Sequence, residues 1–276
     1  MPTFVSPLRT TKAKVQRADP AQRFVTPKTS ARNSPGYLMA NRRSILKAGG
    51  AWVAGFRSDS NAKHVLMLGD SIFDNAAYVA GHQDVQAQVQ DLLPSMQVSS
   101  RARDGAVIAD IDSQLGGFAG TATHIVVSIG GNDAIRASGV LDEGVSNVSA
   151  ALEKLTLIGE RFGHGYASLM KLVSQRNVPV ALCTIYEPRF PDPARRRAAA
   201  AALSVINDVI TRQVFRAGAS LIDLRLICDR DEDFANPIEP STTGGAKIAR
   251  AIARFAEGQV PNASVFAGSG LPEPPR

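Results

Sequence analysis

Five short apolar runs, each followed by residues at helical spacing, constrain this chain more than any other feature. HVLMLG at 64–69 ends in glycine and leads into helix-like spacing over residues 72–93. MQVSSRA at 96–102 is a weaker second run, followed by a short helical stretch at about 107–115. HIVVSIGG at 124–131 is the clearest strand, and apolar residues then recur at helical spacing over 145–175, with an interruption expected near Gly163 and Gly165. VPVALCTIYE at 178–187 precedes ARRRAAAAALSVINDVITRQVF, whose alanine-rich start favours helix. SLIDLR at 220–225 and a closing helix over 243–255 complete the pattern. Nearly continuous apolar strands alternating with helices predict a five-stranded parallel sheet covered on both faces, in one α/β domain over residues 63–257.

Ligand sites in such sheets lie beyond the carboxyl ends of the strands. The residues there are Gly69-Asp70-Ser71 after the first strand, Asp104-Gly105-Ala106 after the second and Gly130-Gly131-Asn132-Asp133 after the third. A serine at a strand-to-helix turn exposes its hydroxyl and has a free N–H. That is the placement required of a nucleophile whose own amide helps hold an oxyanion. Gly105 offers an unobstructed N–H and Asn132 a side-chain amide. Each segment alone has a plainer reading, since GDS is a common turn and cap and GGND a common loop.

LGDSIFDN, the glycine of ARDGA, and SIGGND, in that order and at those intervals, resemble the first three blocks of the GDSL/SGNH hydrolases. The resemblance spans about 190 residues. It implies a flavodoxin-like three-layer α/β/α sandwich and hydrolysis of esters, thioesters or acetylated sugars. Carried over by position, Ser71 matches the nucleophile, and Gly105 and Asn132 match the oxyanion donors.

The fourth block departs. The family closes with Asp-x-x-His before the last helix, often followed by Pro-Ser. This chain reads Asn236-Pro237-Ile238-Glu239-Pro240-Ser241, and no histidine follows His164. Glu239 stands where the general base is expected. Among the histidines, His64 and His124 begin strands, at the opposite end of the sheet from Ser71. His82 falls in the expected first helix, so His164 is the one alternative base, or else a solvent-facing residue at a helix break. Glu and His differ in reference pKa by about 2.2 units, or ~3 kcal/mol of driving force. That is roughly a hundredfold handicap, which burial offsets by lifting a glutamate to about 6 or 7. Asp231 and Asp233 are expected to add like-charge repulsion. Against this, a helix N-terminus favours the charged carboxylate. Glu239 then stabilises the helix end, pairs with an arginine such as Arg136, or binds substrate.

The remaining features bound the function. Residues 1–63 hold twelve Lys/Arg against Asp19 and Asp59, a surplus of +10; with the chain at +6 overall, about −4 is left for the rest. The basic character therefore belongs to a leader, and nucleic-acid binding by the domain is not expected. Residues 1–62 are read as a largely disordered leader and 258–276 as a disordered Pro/Gly-rich tail. Within the leader, Arg42-Arg43 followed by Ile45, Leu46 and Lys47 resembles a twin-arginine export signal at 41–56. A basic extension on a cytoplasmic protein and an export signal both stand as readings. No apolar stretch reaches the ~18 residues of a membrane span. Cys183 and Cys228 form no CxxC pair, and Cys183 sits in an apolar run as a small buried side chain. No phosphate loop and no metal-ligand spacing occurs, so neither cofactor nor metal is expected. Arg189 and the Arg195–Arg197 run after the fourth strand either rim a pocket for an acidic acyl group or form a solvated face.

Two classes of function follow. One is a serine hydrolase for small acyl or acetyl esters, acting through an acyl-enzyme with Ser71, Gly105, Asn132 and Glu239. The other is a weak or inactive binding domain that keeps the pocket and lacks the base. A small-molecule ester is the expected partner, and the oligomeric state is not legible.

Overall fold

A computed structural model describes residues 63–259. The leader, its arginine pair and the tail beyond Gln259 lie outside them. The five expected strands form: β1 (His64–Gly69), β2 (Gln97–Ser100), β3 (His124–Ser128), β4 (Val180–Cys183) and β5 (Ser220–Ile222). All pair in parallel in the order β2-β1-β3-β4-β5, the flavodoxin-like arrangement, with its switch point between β1 and β3. Leu66 of β1 lies opposite Ile125 of β3 and Ser99 of β2.

Because successive side chains of a strand point to opposite faces, β1 feeds two cores. Val65 and Met67 pack with Val126, Ala181 and Ile222 in one layer; Leu66 and Leu68 pack with Ile125, Val127 and Leu182 in the other. The first layer is closed by α1 (Val85–Leu92) and α7 (Thr242–Ala256), through Val85, Val89, Ile248 and Ile252. The second is closed by α2 (Ile111–Gly116), α4 (Val148–Ser174) and α5 (Pro193–Arg216), through Ile111, Phe162, Tyr166, Ile210 and Val214. The result is a three-layer α/β/α sandwich. Two short helices, α3 (Gly131–Ala137) and α6 (Leu224–Ile227), follow β3 and β5. Cys183 and Cys228 are buried free thiols. Among the described residues no helix is long and apolar enough to cross a membrane.

The helix expected over 72–93 shrinks to α1 alone, preceded by a 3-10 turn at Ala76–Tyr78. The buried Asn75 accepts the Val85 N–H at 2.9 Å, and Asp84 caps α1 by accepting from Ala87 at 2.7 Å. Short polar side chains that bond to nearby backbone compete with helix, and here they hold 72–84 as a loop. His82 consequently lies in an exposed turn, not in a helix.

The break expected near Gly163 and Gly165 is absent, and α4 runs unbroken for 27 residues. Its glycines serve helix packing instead. A Cβ on Gly159 would stand 2.8 Å from Val205 Cγ1 of α5, so the bare Cα admits the neighbouring helix. His164 projects from α4 as an exposed residue.

Candidate active site

Strand β1 delivers Ser71 to the carboxyl edge of the sheet, in a turn fixed on both sides. Asp70 N–H donates to Ser128 O of β3 at 3.1 Å, and Asp70 Oδ1 accepts the Ile72 N–H at 3.2 Å. The Ser71 hydroxyl then meets a group from the far end of the chain: Ser71 Oγ donates to Glu239 Oε1 at 2.9 Å. Both residues are buried, Ser71 at 6% and Glu239 at 5% exposure.

Glu239 is carried by a braced loop between the 3-10 turn Asp231–Asp233 and α7. The loop closes on itself through an antiparallel bridge of Phe234 with Pro240 and a 2.9 Å bond from Ala235 N–H to Glu239 O. Asn236 Oδ1 accepts from Ile238 N–H at 2.9 Å and from Glu239 N–H at 3.0 Å. From outside, the Tyr186 hydroxyl donates to Ile238 O and the Arg189 N–H to Pro237 O, both at 2.7 Å. Helix α7 is capped by Ser241, whose hydroxyl accepts from Gly244 N–H at 3.2 Å. Its N-terminus therefore leaves Glu239 free to face Ser71.

Burial raises the Glu239 carboxyl to about 7; the Ser71 hydrogen bond opposes this and the charge of Asp104 adds to it. Burial likewise lifts Asp70 to about 7, with the charges of Glu239 and Asp133 contributing. Glu239 Oε2 is buried and has no hydrogen-bond partner among the described residues. Asp231 and Asp233, expected to repel Glu239, are engaged elsewhere. Asp231 Oδ1 lies 3.0 Å from Arg196 and 3.2 Å from Arg189, and Asp233 Oδ2 accepts from Lys247 at 2.8 Å. The like charge that raises Glu239 is that of Asp104, and Glu239 in turn raises Asp70. Arg136 is exposed on α3 and acts on Asp133, so it is not the partner of Glu239.

The expected oxyanion donors, Gly105 and Asn132, follow β2 and β3, the two strands on either side of β1. Gly105 has φ +78°, a backbone setting that favours glycine. Its loop is tied to the Ser71 turn by Asp74 Oδ2, which accepts the Asp104 N–H at 2.9 Å, and by Gly69 O, which accepts the Arg103 N–H at 3.0 Å. Asn132 Nδ2 donates to Ala106 O at 2.9 Å, which orients its amide beside the same loop. Asn132 also lines the cavity that holds Ser71 and Glu239.

The sequence profile of the GDSL-like lipase/acylhydrolase family matches residues 67–268. The chain belongs to this family. Its fold is that of several solved lipases and acylhydrolases. An extracellular lipase from Streptomyces rimosus superposes with a TM-score of 0.52 at 16% identity, covering 72% of this chain and 100% of that one. A phospholipase A1 from Streptomyces albidoflavus gives 0.54 at 14% identity, with 72% and 100% covered. A lipase/acylhydrolase from Enterococcus faecalis gives 0.52 at 15%, with 74% and 100% covered. No curated protein sequence matches the chain.

Within the GDSL-like family, the other sequence candidates fall away from the site. His64 bonds Ser99 Oγ at 2.9 Å and His124 bonds Thr123 Oγ1 at 3.0 Å, both at the amino edge of the sheet. His164 and His82 are exposed. Arg189 packs 4.9 Å over the Phe234 ring and donates to Asp229 O, while Arg195 pairs with Asp142 at 2.7 Å. The segment after β4 reaches the cavity through Tyr186, Pro188 and Phe190 instead. Sequence reasoning missed Tyr186 and the buried Asp70 as parts of the site. A tyrosine at a strand end carries no signal of its hydroxyl partner, whereas Asp70, adjacent to Ser71 in the first block, was legible as a neighbour. Among the described residues, no group of three or more His, Cys, Asp or Glu side chains is arranged to hold a metal ion.

Proposed function

We propose that the chain hydrolyses carboxylic esters through an acyl-enzyme, with Ser71 as nucleophile and Glu239 as its general base. The observation that carries this reading is the 2.9 Å hydrogen bond from Ser71 Oγ to a buried glutamate. A base must lie within hydrogen-bond reach of the proton it takes. Its pKa should also lie near working pH, and a carboxyl raised to about 7 occupies the range a histidine normally fills.

The steps follow from the groups present. Glu239 takes the Ser71 proton as Oγ bonds to the ester carbonyl carbon. The oxyanion that forms accepts from the N–H groups of Ser71 and Gly105 and from Asn132 Nδ2. Collapse breaks the carbon–alkoxy bond, and protonated Glu239 returns the proton to the leaving alcohol. Water, deprotonated by the same carboxylate, then attacks the acyl-enzyme, and Ser71 leaves with its proton restored. Asn236 fixes the Glu239 backbone where the family's aspartate orients a histidine ring. A glutamate side chain is held by its own loop and by Ser71, so the reading requires no second carboxylate behind it.

The test is a panel of p-nitrophenyl and acetyl-sugar esters assayed with the wild type, Ser71→Ala and Glu239→Gln. Loss of turnover in both variants supports the mechanism. No hydrolysis by the wild type on any ester would favour a binding domain that retains the hydrolase fold.

A further inference from the structure

We propose that the cavity beside Ser71 is an acyl-chain site, and that the preferred substrates are esters of unbranched acyl groups of about six carbons rather than acetyl esters. This rests on the hydrolase reading above and adds the acyl half of the substrate to it.

The cavity is lined by Ser71, Asn132 and Glu239 and extends among α3, the 3-10 turn Ser138–Asp142, α4 and α5. The two long helices contribute only apolar side chains to it: Leu155 and Ile158 from α4, and Leu203, Ile206 and several small residues from α5. Water in a cavity needs two to four polar partners, which such walls do not supply. The whole cavity, its polar groups included, has a volume of about 130 Å³; an apolar cavity of ~150 Å³ takes benzene, so the space suits a hydrocarbon of up to about six carbons. Asp70 and Glu239 stand on the same lining and oppose an acyl group carrying its own carboxylate. With the ester carbon at Ser71 Oγ, the cavity takes the acyl chain and the alcohol half is left towards solvent.

Each methylene moved from water into such walls is worth about fourfold in binding, so four added methylenes amount to on the order of 10²-fold. On α5, Ala199 and Ala202 line the cavity with small side chains and leave space that larger ones would fill.

The experiment is a chain-length series on the full chain, from p-nitrophenyl acetate to dodecanoate. The expected kcat/KM rises by on the order of 10²-fold from acetate to hexanoate and stops rising by dodecanoate. Ala202→Phe, and the milder Ala199→Leu, should lower the hexanoate-to-acetate ratio by roughly tenfold or more, with folding checked by the thermal transition. A wild type that prefers acetate, or a ratio unmoved in both folded variants, overturns the inference. A readout free of turnover separates it from the hydrolase reading. Ser71→Ala titrated calorimetrically should bind ethyl hexanoate on the order of 10²-fold more tightly than ethyl acetate. Selective hexanoate binding without hydrolysis by the wild type keeps the acyl site and removes the hydrolase; no preference for hexanoate removes the acyl site.

Discussion

Ser71 Oγ and Glu239 Oε1 stand 2.9 Å apart although 168 positions separate them in sequence. The sheet edge brings one residue and a self-closed loop the other. Their contact joins a hydroxyl to a carboxyl that burial has lifted to about 7 from an ordinary value of 4.5.

That lift carries a stability cost with a definite sign. A group whose folded pKa is raised contributes stability that is fully present below its unfolded pKa and is lost as pH rises through the folded value. For Glu239 the loss runs from about 4.5 to about 7. Glu239→Gln cannot ionise, so it should match the wild type near pH 4 and exceed its stability at pH 8.5 by on the order of 2–3 kcal/mol. Urea melts at the two pH values check this; equal stabilities at pH 8.5 would show the carboxylate to be well solvated.

Asn236 holds the loop through two bonds to backbone N–H groups, at 2.9 and 3.0 Å. Asn236→Ala leaves both donors without that acceptor and should cost roughly 1–3 kcal/mol, with a fall in kcat larger than any change in KM. Asn236→Asp keeps an acceptor oxygen and adds a negative charge near Glu239, which raises the Glu239 pKa further. Its activity profile should therefore move to higher pH while its stability near neutrality stays closer to the wild type. A profile moving to lower pH would contradict the placement of Asn236 behind the glutamate.

The two glycines facing α5 make opposite forecasts. Alanine is favoured over glycine in a helix interior by about 1 kcal/mol. At Gly163 a Cβ would meet Val209 Cγ1 at 3.5 Å, an ordinary contact, so Gly163→Ala should stabilise by up to about that amount. At Gly159 the distance is 2.8 Å to Val205 Cγ1, on a side chain stiff about χ1, and Gly159→Ala should lose the gain or reverse it. Thermal denaturation of the two variants side by side decides the matter.

β1, β3 and β4 were legible because their apolar runs are short, bounded and buried on both faces, and the strand ends put Ser71, Gly105 and Asn132 along one edge. Helix limits were less so. Asn75 and Asp84 divert backbone bonds between Phe73 and α1, a competition that apolar spacing does not register. Gly163 and Gly165 look like breaks along the chain, yet α4 runs through both, with Gly163 facing Val209 of α5 and Gly165 facing Ile108. At Glu239 the sequence marked the position but not its electrostatics. The like charge that raises its pKa comes from Asp104, remote in sequence, while Asp231 and Asp233 close by are paired with Arg196 and Lys247. The Tyr186 bond to Ile238 O, across 52 positions, had no local signature.

The central claim is that Glu239 takes the Ser71 proton, and the pH dependence of kcat/KM tests it most directly. An ionised glutamate is the active form, so wild-type kcat/KM should rise with pH and level off above about 7. Since Asp70 titrates in the same range beside it, the midpoint belongs to the pair. Glu239→Gln should lower the plateau by roughly 10²–10⁴-fold and abolish the rise, while the oxyanion donors leave a residue of activity. Full activity and an unchanged profile in Glu239→Gln, with Ser71→Ala inactive, would contradict the account and assign the proton to another base.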